Sequence, residues 1–152
     1  MGSDRKTGKG VLLMKVLATG NDQLVVDWTF DRFGIYCTKI DMAFAIIEDG
    51  EIVGSCFFQA HNGPDIELSY YGRPNTMTPA IVKQLAKIAV DHFGVSRITA
   101  RTMKSNKALK KSIHKIGFVY EGIRHRAFGE EDAVMYGLFG ENLARLAGKV
   151  MQ

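Results

Sequence analysis

Hydrophobic positions change period several times along the chain, and each change marks an element. Residues 1–9, MGSDRKTGK, are polar throughout and predict a disordered start. Val11 to Ala18 is the first strand. Asn21 or Asp22 is placed to cap a helix running to about Phe33, with Leu24, Val25 and Trp28 on its apolar face and Gly34 ending it. Residues 35–42 carry no decisive period. Ala43–Glu48 and Ile52–Ala60 read as strands joined by Asp49-Gly50, a pair suited to the left-handed backbone of a two-residue hairpin turn. His61-Asn62-Gly63-Pro64 then turns the chain into a third strand, Asp65–Tyr71.

From there the period lengthens. Thr78 followed by Pro79 is a helix start, and Ile81, Val82, Leu85, Ile88, Ala89 and Phe93 recur at helical spacing up to Gly94. Val95–Thr102 alternates as a strand. Lys107–Ile116 is helical, with Ala108, Leu109, Ser112, Ile113 and Ile116 on one side and Lys107, Lys110, Lys111 and His114 opposite. Gly117 stops it, Phe118–Glu121 and Asp132–Phe139 close the strand set, and Glu141–Val150 reads as a last helix. A helix joins strand 65–71 to strand 95–102, a crossover that makes parallel neighbours, whereas the earlier strands form an antiparallel meander. The expected fold is therefore a single α/β (α+β) domain over residues 1–152, with a mixed, mostly antiparallel sheet and a central parallel junction flanked by helices. Such a junction opens a crevice at the strand ends, a usual ligand site.

Composition narrows the setting. A chain of 152 residues, 46% hydrophobic and 24% charged, suits one domain with one core. No apolar run approaches the roughly 18 residues of a membrane span, and VLLMKVLA is broken by Lys15, so neither a membrane anchor nor a leader is expected and the location expected is cytoplasmic. Cys37 and Cys56 have no metal-ligand spacing and read as reduced, partly buried thiols; no metal site is expected. A net charge of +4 suits an anionic partner. No nucleic-acid motif accompanies it, so the lysine face of residues 104–115 and the Arg124-His125-Arg126 cluster between two strands read as solvated surface, as do His61 and His114.

Asn106 to Gly122, NKALKKSIHKIGFVYEG, with FGVSRITAR before it and DAVMYGL after it, resembles the cofactor-binding half of the GNAT (Gcn5-related N-acetyltransferase) superfamily, nearest its ribosomal-protein acetyltransferase branch. The Tyr70-Tyr71-Gly72 stretch and DAVMYGL also resemble small GNAT-like proteins of tailed bacteriophages. The resemblance implies a transferase that uses acetyl-CoA as cosubstrate and acetylates a primary amine on a small molecule or protein. It implies a cofactor lying between strands 65–71 and 95–102, along Leu68 and Tyr70, with its pyrophosphate at the start of helix 78–93 and a contact from Asn106. Glu67 stands where many members carry the catalytic base.

The chain departs from the family in the phosphate loop, which usually holds R/Q-x-x-G-x-G/A. By spacing, Arg73-Pro74-Asn75-Thr76-Met77-Thr78 fits with threonines for glycines; aligned on the helix, Gly72, Asn75 and Met77 take the key places. It departs again at the acid, where Leu109 and Ile113 replace the Ser or Tyr of the family. Three functions follow from these residues: an N-acetyltransferase with Glu67 as base, a GNAT-fold binding protein that has lost catalysis, and, as an unlikely third, a nucleic-acid binder. Either a monomer or a homodimer is compatible with the sequence.

Overall fold

The structure is a computed structural model that describes residues 5–7, 9–11, 15–73 and 75–149, with side chains from Lys15 onward. Residues 5–7 (β1) and 9–11 (β2) pair as a short ribbon; the rest of the expected disordered start, residues 1–4 and 8, lies outside the described residues, as does Pro74. The first strand of the main sheet is β3, Lys15–Thr19. Its expected beginning at Val11 is corrected, because Val11 belongs to β2 and residues 12–14 are not described. Then follow α1 (Asp22–Phe33), β4 (Ile40–Glu48), β5 (Glu51–Asn62), β6 (Asp65–Gly72), α2 (Pro79–Asp91), β7 (Arg97–Met103), α3 (Lys107–Ile116), β8 (Val119–Phe128), β9 (Glu131–Phe139) and α4 (Gly140–Leu146).

The seven strands from β3 onward form one sheet in the order β3-β4-β5-β6-β7-β9-β8. Among the described strands only β6 and β7 run parallel; β9 slots between β7 and β8. The β4–β5 turn forms as expected, with Asp49 and Gly50 at φ +53° and +77°, the left-handed pair that matches strand twist. Alternation gives the sheet two faces. Phe44, Ile46, Phe58, Ile66, Ile98 and Leu138 pack with α2, α3 and α4 in the larger core, while Ala43, Ala45 and Phe57 pack under α1 with Val25 and Val26.

Three details differ from the pattern reading, each for a physical reason. The buried face of α1 is Val25, Val26 and Thr29, whereas Leu24 is exposed. Thr29 can be buried because its Oγ1 donates to the Val25 carbonyl at 2.8 Å and lies 2.6 Å from Ser55 Oγ. Asn21 occupies the N-cap without a side-chain cap bond, and Asp22 instead accepts from the Ala43 amide at 3.3 Å, tying the helix start to β4. Finally, β8 extends to Phe128, so Arg124-His125-Arg126 lies within an edge strand and not in a connection. Register shifts after Tyr120 and Arg124, with Gly122 at φ +137° and Arg126 at φ +57°, break the alternation that would have revealed it.

Candidate functional site

The parallel pairing of β6 with β7 runs from Asp65↔Arg97 to Leu68↔Ala100 and stops there. Both strands continue, β6 held by β5 as far as Gly72 and β7 by β9 as far as Met103. The sheet therefore opens into a cleft whose edges are Ser69–Gly72 and Arg101–Met103, with the backbone of each edge free toward the other. The start of α3 leans across one side of it. Leu68, Tyr70, Met77, Ala100, Leu109 and Ile113 line an apolar inner part, and Gly72, Arg73, Asn75, Asn106 and Ser112 line the mouth.

The residues singled out for a cofactor thus gather around one opening, with two exceptions. Leu68, Tyr70, Arg73, Asn75, Met77 and Asn106 border it; Thr76 and Thr78 stand behind. Thr76 is buried, and its hydroxyl donates to the Arg73 carbonyl at 2.7 Å, so it has no proton left to offer a phosphate. Thr78 is the N-cap of α2 and accepts from the Ile81 amide at 3.3 Å; its own hydroxyl proton is not used by that bond. Pro79 carries no N–H, and Val82 N–H bonds the Thr78 carbonyl, which leaves Ala80 as the first-turn amide without a partner among the described residues. Asn106 caps α3, its Oδ1 accepting from the Leu109 amide at 3.1 Å, and its side-chain NH₂ stays available at the cleft mouth.

The loop achieves its turn without the usual glycines. Asn75 takes φ +68°, a left-handed conformation that asparagine tolerates. The one small residue that cannot be enlarged is Gly72: a Cβ there would sit 2.6 Å from the Tyr70 hydroxyl and 2.9 Å from Thr76 Oγ1. The Tyr70 hydroxyl donates to the Arg73 carbonyl, and burial, with a smaller push from the Cys56 thiol, holds that phenol well above its ordinary pKa. Leu109 and Ile113 face the inner cleft and contribute only hydrocarbon there.

Glu67 stands on the other face of the sheet, one residue before the strands part, opposite Gln59 and Thr99. Its Oε1 is 3.7 Å from Arg101 Nε, and both side chains are about three-quarters buried. That distance is too long for a hydrogen bond, and Arg101 Nε is buried with no partner. The guanidinium lies 5.5 Å from the Phe128 ring. Arg101 separates two hollows on this face. One, of about 350 Å³, holds Glu67 with Lys39, Asp41 and His61; the other, of about 500 Å³, is walled by Phe33, Tyr71 and Phe128 with Arg32. Burial pushes the Tyr71 hydroxyl up to about 12, the Cys37 thiol adding to it, so it is a neutral donor there. Sequence reasoning passed over Arg101, although Arg97, Thr99 and Arg101 alternate with Ile98, Ala100 and Thr102 and so had to share the face of Glu67.

His114 is exposed on the outer side of α3, and His61 is exposed within β5 beside Phe93. Among the described residues no helix is long and apolar enough to cross a membrane, and no group of three or more His, Cys, Asp or Glu is placed to hold a metal ion.

The acetyltransferase (GNAT) domain family matches residues 14–119, well over half of the chain. The chain belongs to the GNAT family. Among solved structures, the ribosomal-protein-S5-alanine acetyltransferase of Vibrio fischeri superposes with a TM-score of 0.64 at 12% identity, covering 85% of this chain and 93% of that one. The spermidine/spermine N-acetyltransferase of Vibrio cholerae, in mutant form, gives 0.62 at 12%, covering 87% and 98%. A GCN5-related N-acetyltransferase of Brucella melitensis gives 0.58 at 20%, covering 70% of this chain and 54% of that one. The chain likewise spans only 66% and 63% of two other matched acetyltransferase structures. No curated relative matches. At these identities the structural likeness establishes the GNAT fold, with its seven-stranded sheet and single parallel pair.

Proposed function

We propose that this protein transfers the acetyl group of acetyl-CoA to a primary amine. The observation that carries the reading is the parting of β6 and β7 after Leu68 and Ala100, beside the N-terminus of α2. The residues present fit the cosubstrate. The free edge of Ser69–Gly72 can pair with pantetheine amides as an added strand does. The partial positive charge at the start of α2, the Ala80 amide, the Thr78 hydroxyl and Arg73 can hold the pyrophosphate. The Asn106 amide donates at the mouth. Leu68, Leu109 and Ile113 exclude water from the thioester end, where charged transition states are stabilised more strongly.

On the opposite face, Glu67 takes the proton of the attacking amine, directly or through a water in its hollow. The N–C bond forms as the thioester C–S bond breaks, and the sulfur recovers its proton from solvent, since Leu109 and Ile113 at the inner cleft offer none. Calorimetry with acetyl-CoA tests the reading: saturable binding supports it, and no heat at millimolar cosubstrate overturns it.

A second reading, a GNAT-fold binding protein without catalysis, is favoured by two observations: Thr76 uses its hydroxyl on the Arg73 carbonyl, and leucine and isoleucine occupy the α3 acid places. Amine-dependent thiol release abolished by Glu67→Gln decides against it. Steep salt-dependent binding of DNA or RNA is the signature a nucleic-acid role requires.

A further inference from the structure

We propose that the acceptor is a small α-amino acid with a large apolar or aromatic side chain, recognised by its carboxylate as well as its amine. The inference rests on the acetyltransferase reading for the role of the site, but its ligand chemistry is read from a separate hollow. That hollow, of about 500 Å³, opens on the face away from α2 and shares Tyr70, Gly72, Asn106 and Leu109 with the borders of the cleft, so a ligand in it reaches the gap between the parted strands. Its size suits a compact molecule and not an extended chain.

The walls define what fits. Phe33 and Tyr71 lie 5.9 Å apart, centroid to centroid, and Phe128 faces them beneath the Arg101 guanidinium. Among the described residues, Arg32 and Arg101 line this space and no carboxylate does. A polyamine is therefore poorly matched to it: a second ammonium would meet two guanidiniums and no counter-charge. A carboxylate is well matched, since guanidinium binds it with charge-assisted, bidentate geometry.

An α-amino acid carries its ammonium and carboxylate on one carbon, so binding one places the other. Its carboxylate faces Arg101 and Arg32, its side chain lies between Phe33, Tyr71 and Phe128, and its ammonium turns toward the gap between the parted strands. Glu67, in the hollow beyond Arg101, takes its proton through water. One proton of the ammonium leaves through Glu67 to solvent before the N–C bond forms. The second leaves to solvent as the thioester C–S bond breaks, and solvent returns one proton to the CoA sulfur.

The experiment compares L-phenylalanine, phenethylamine and spermidine as ligands of the full chain by calorimetry, and as acceptors by thiol release from acetyl-CoA. Phenylalanine is expected to bind at least roughly tenfold tighter than phenethylamine, the scale of one charged hydrogen-bonded contact. Arg101→Gln should reduce that ratio to near unity while phenethylamine binding stays within about twofold. Arg32→Gln, at an exposed position, should lower the ratio severalfold and serves if Arg101→Gln does not fold. Equal binding of phenylalanine and phenethylamine, or tighter binding of spermidine, overturns the proposal. The two readings fail separately: a carboxylate preference without acetyl-CoA binding removes the transferase and keeps the ligand class, and acetyl-CoA binding without the preference does the reverse.

Discussion

The Tyr70 hydroxyl donates to the Arg73 carbonyl at 3.1 Å, and that one oxygen also takes the Thr76 hydroxyl at 2.7 Å and the Thr76 amide at 3.3 Å. Three donors on one acceptor draw residues 70–76 into a knot at the foot of α2. Glycines elsewhere in the family shape this loop by letting backbone approach the ligand closely; here side-chain hydroxyls shape it from behind. Gly72 lies inside the knot, so Gly72→Ala should act on both stability and cosubstrate affinity. Its Cβ meets the rigid Tyr70 ring as well as two hydroxyls, and overpacking of this kind costs about 1–3 kcal/mol. Thermal unfolding and acetyl-CoA calorimetry check it: Tm should fall and Kd should rise several-fold. Tyr70→Phe removes one of three donors and should cost less, about 0.5–1.5 kcal/mol.

Glu67→Gln keeps the shape of the side chain and removes its ability to take a proton. It is expected to lower kcat by about 10²–10⁴ and leave acetyl-CoA affinity within about twofold, since Glu67 faces away from the cleft side that would hold the cofactor. Steady-state kinetics on the purified variant measure it. Unchanged kcat would remove Glu67 from the chemistry and leave it as the charge partner of Arg101.

The fold was legible wherever each element kept one period. The α3 stripe, the Asp49-Gly50 turn and the Thr78-Pro79 start were readable because short-range chemistry decides them: a moment, two left-handed residues, a cap. The edge strand β8 was not, because its bulges after Tyr120 and Arg124 destroy the alternation on which reading depends. The candidate site divides in the same way. Residues of β6, the loop and Asn106 are close along the chain or anchored to a readable helix end, and they do gather at one cleft. Arg101, Arg32 and Phe128 come from three distant segments, and only the register of β7 beside β6 and the placement of α1 bring them together. Thr29 shows the limit of hydropathy itself, since its burial depends on a partner in β5 that no local pattern announces.

That partner gives an asymmetric prediction. Thr29 Oγ1 donates its one proton to the Val25 carbonyl, so the bond to Ser55 has Ser55 as donor. Thr29→Val keeps the volume but leaves the fully buried Ser55 hydroxyl without an acceptor, at a cost of about 1–3 kcal/mol. Ser55→Ala leaves Thr29 bonded to Val25 and should cost less, about 0.5–1.5 kcal/mol. The double variant should be less destabilised than the sum of the two, because the orphan disappears with Ser55. Denaturant melts of the three variants test the order, and equal costs for the two single changes would contradict it.

The β8–β9 corner contributes to the acid limb of stability, as does Asp91, whose carboxyl pKa is lowered by Lys149 and Lys87. Asp132 accepts the Arg126 amide at 2.9 Å and lies 3.2 Å from His125 Nδ1, and Glu131 accepts the Ser105 amide at 2.8 Å. The backbone bond from Arg126, helped by His125, holds the Asp132 carboxyl below its ordinary pKa, and the bonds from Ser105 do the same for Glu131. Depressed folded-state values favour the folded protein above the unfolded-state pKa of a carboxylate, about 4, and that stabilisation is lost as pH falls through the lower folded values. Stability should therefore decline from about pH 5 downward. Asp132→Asn should flatten part of that decline while leaving the plateau near neutrality only slightly lower, because an amide oxygen still accepts from Arg126. Urea midpoints measured from pH 7 to pH 3 for the parent chain and the variant read the slope directly; parallel curves would show that this corner carries no proton-linked stability.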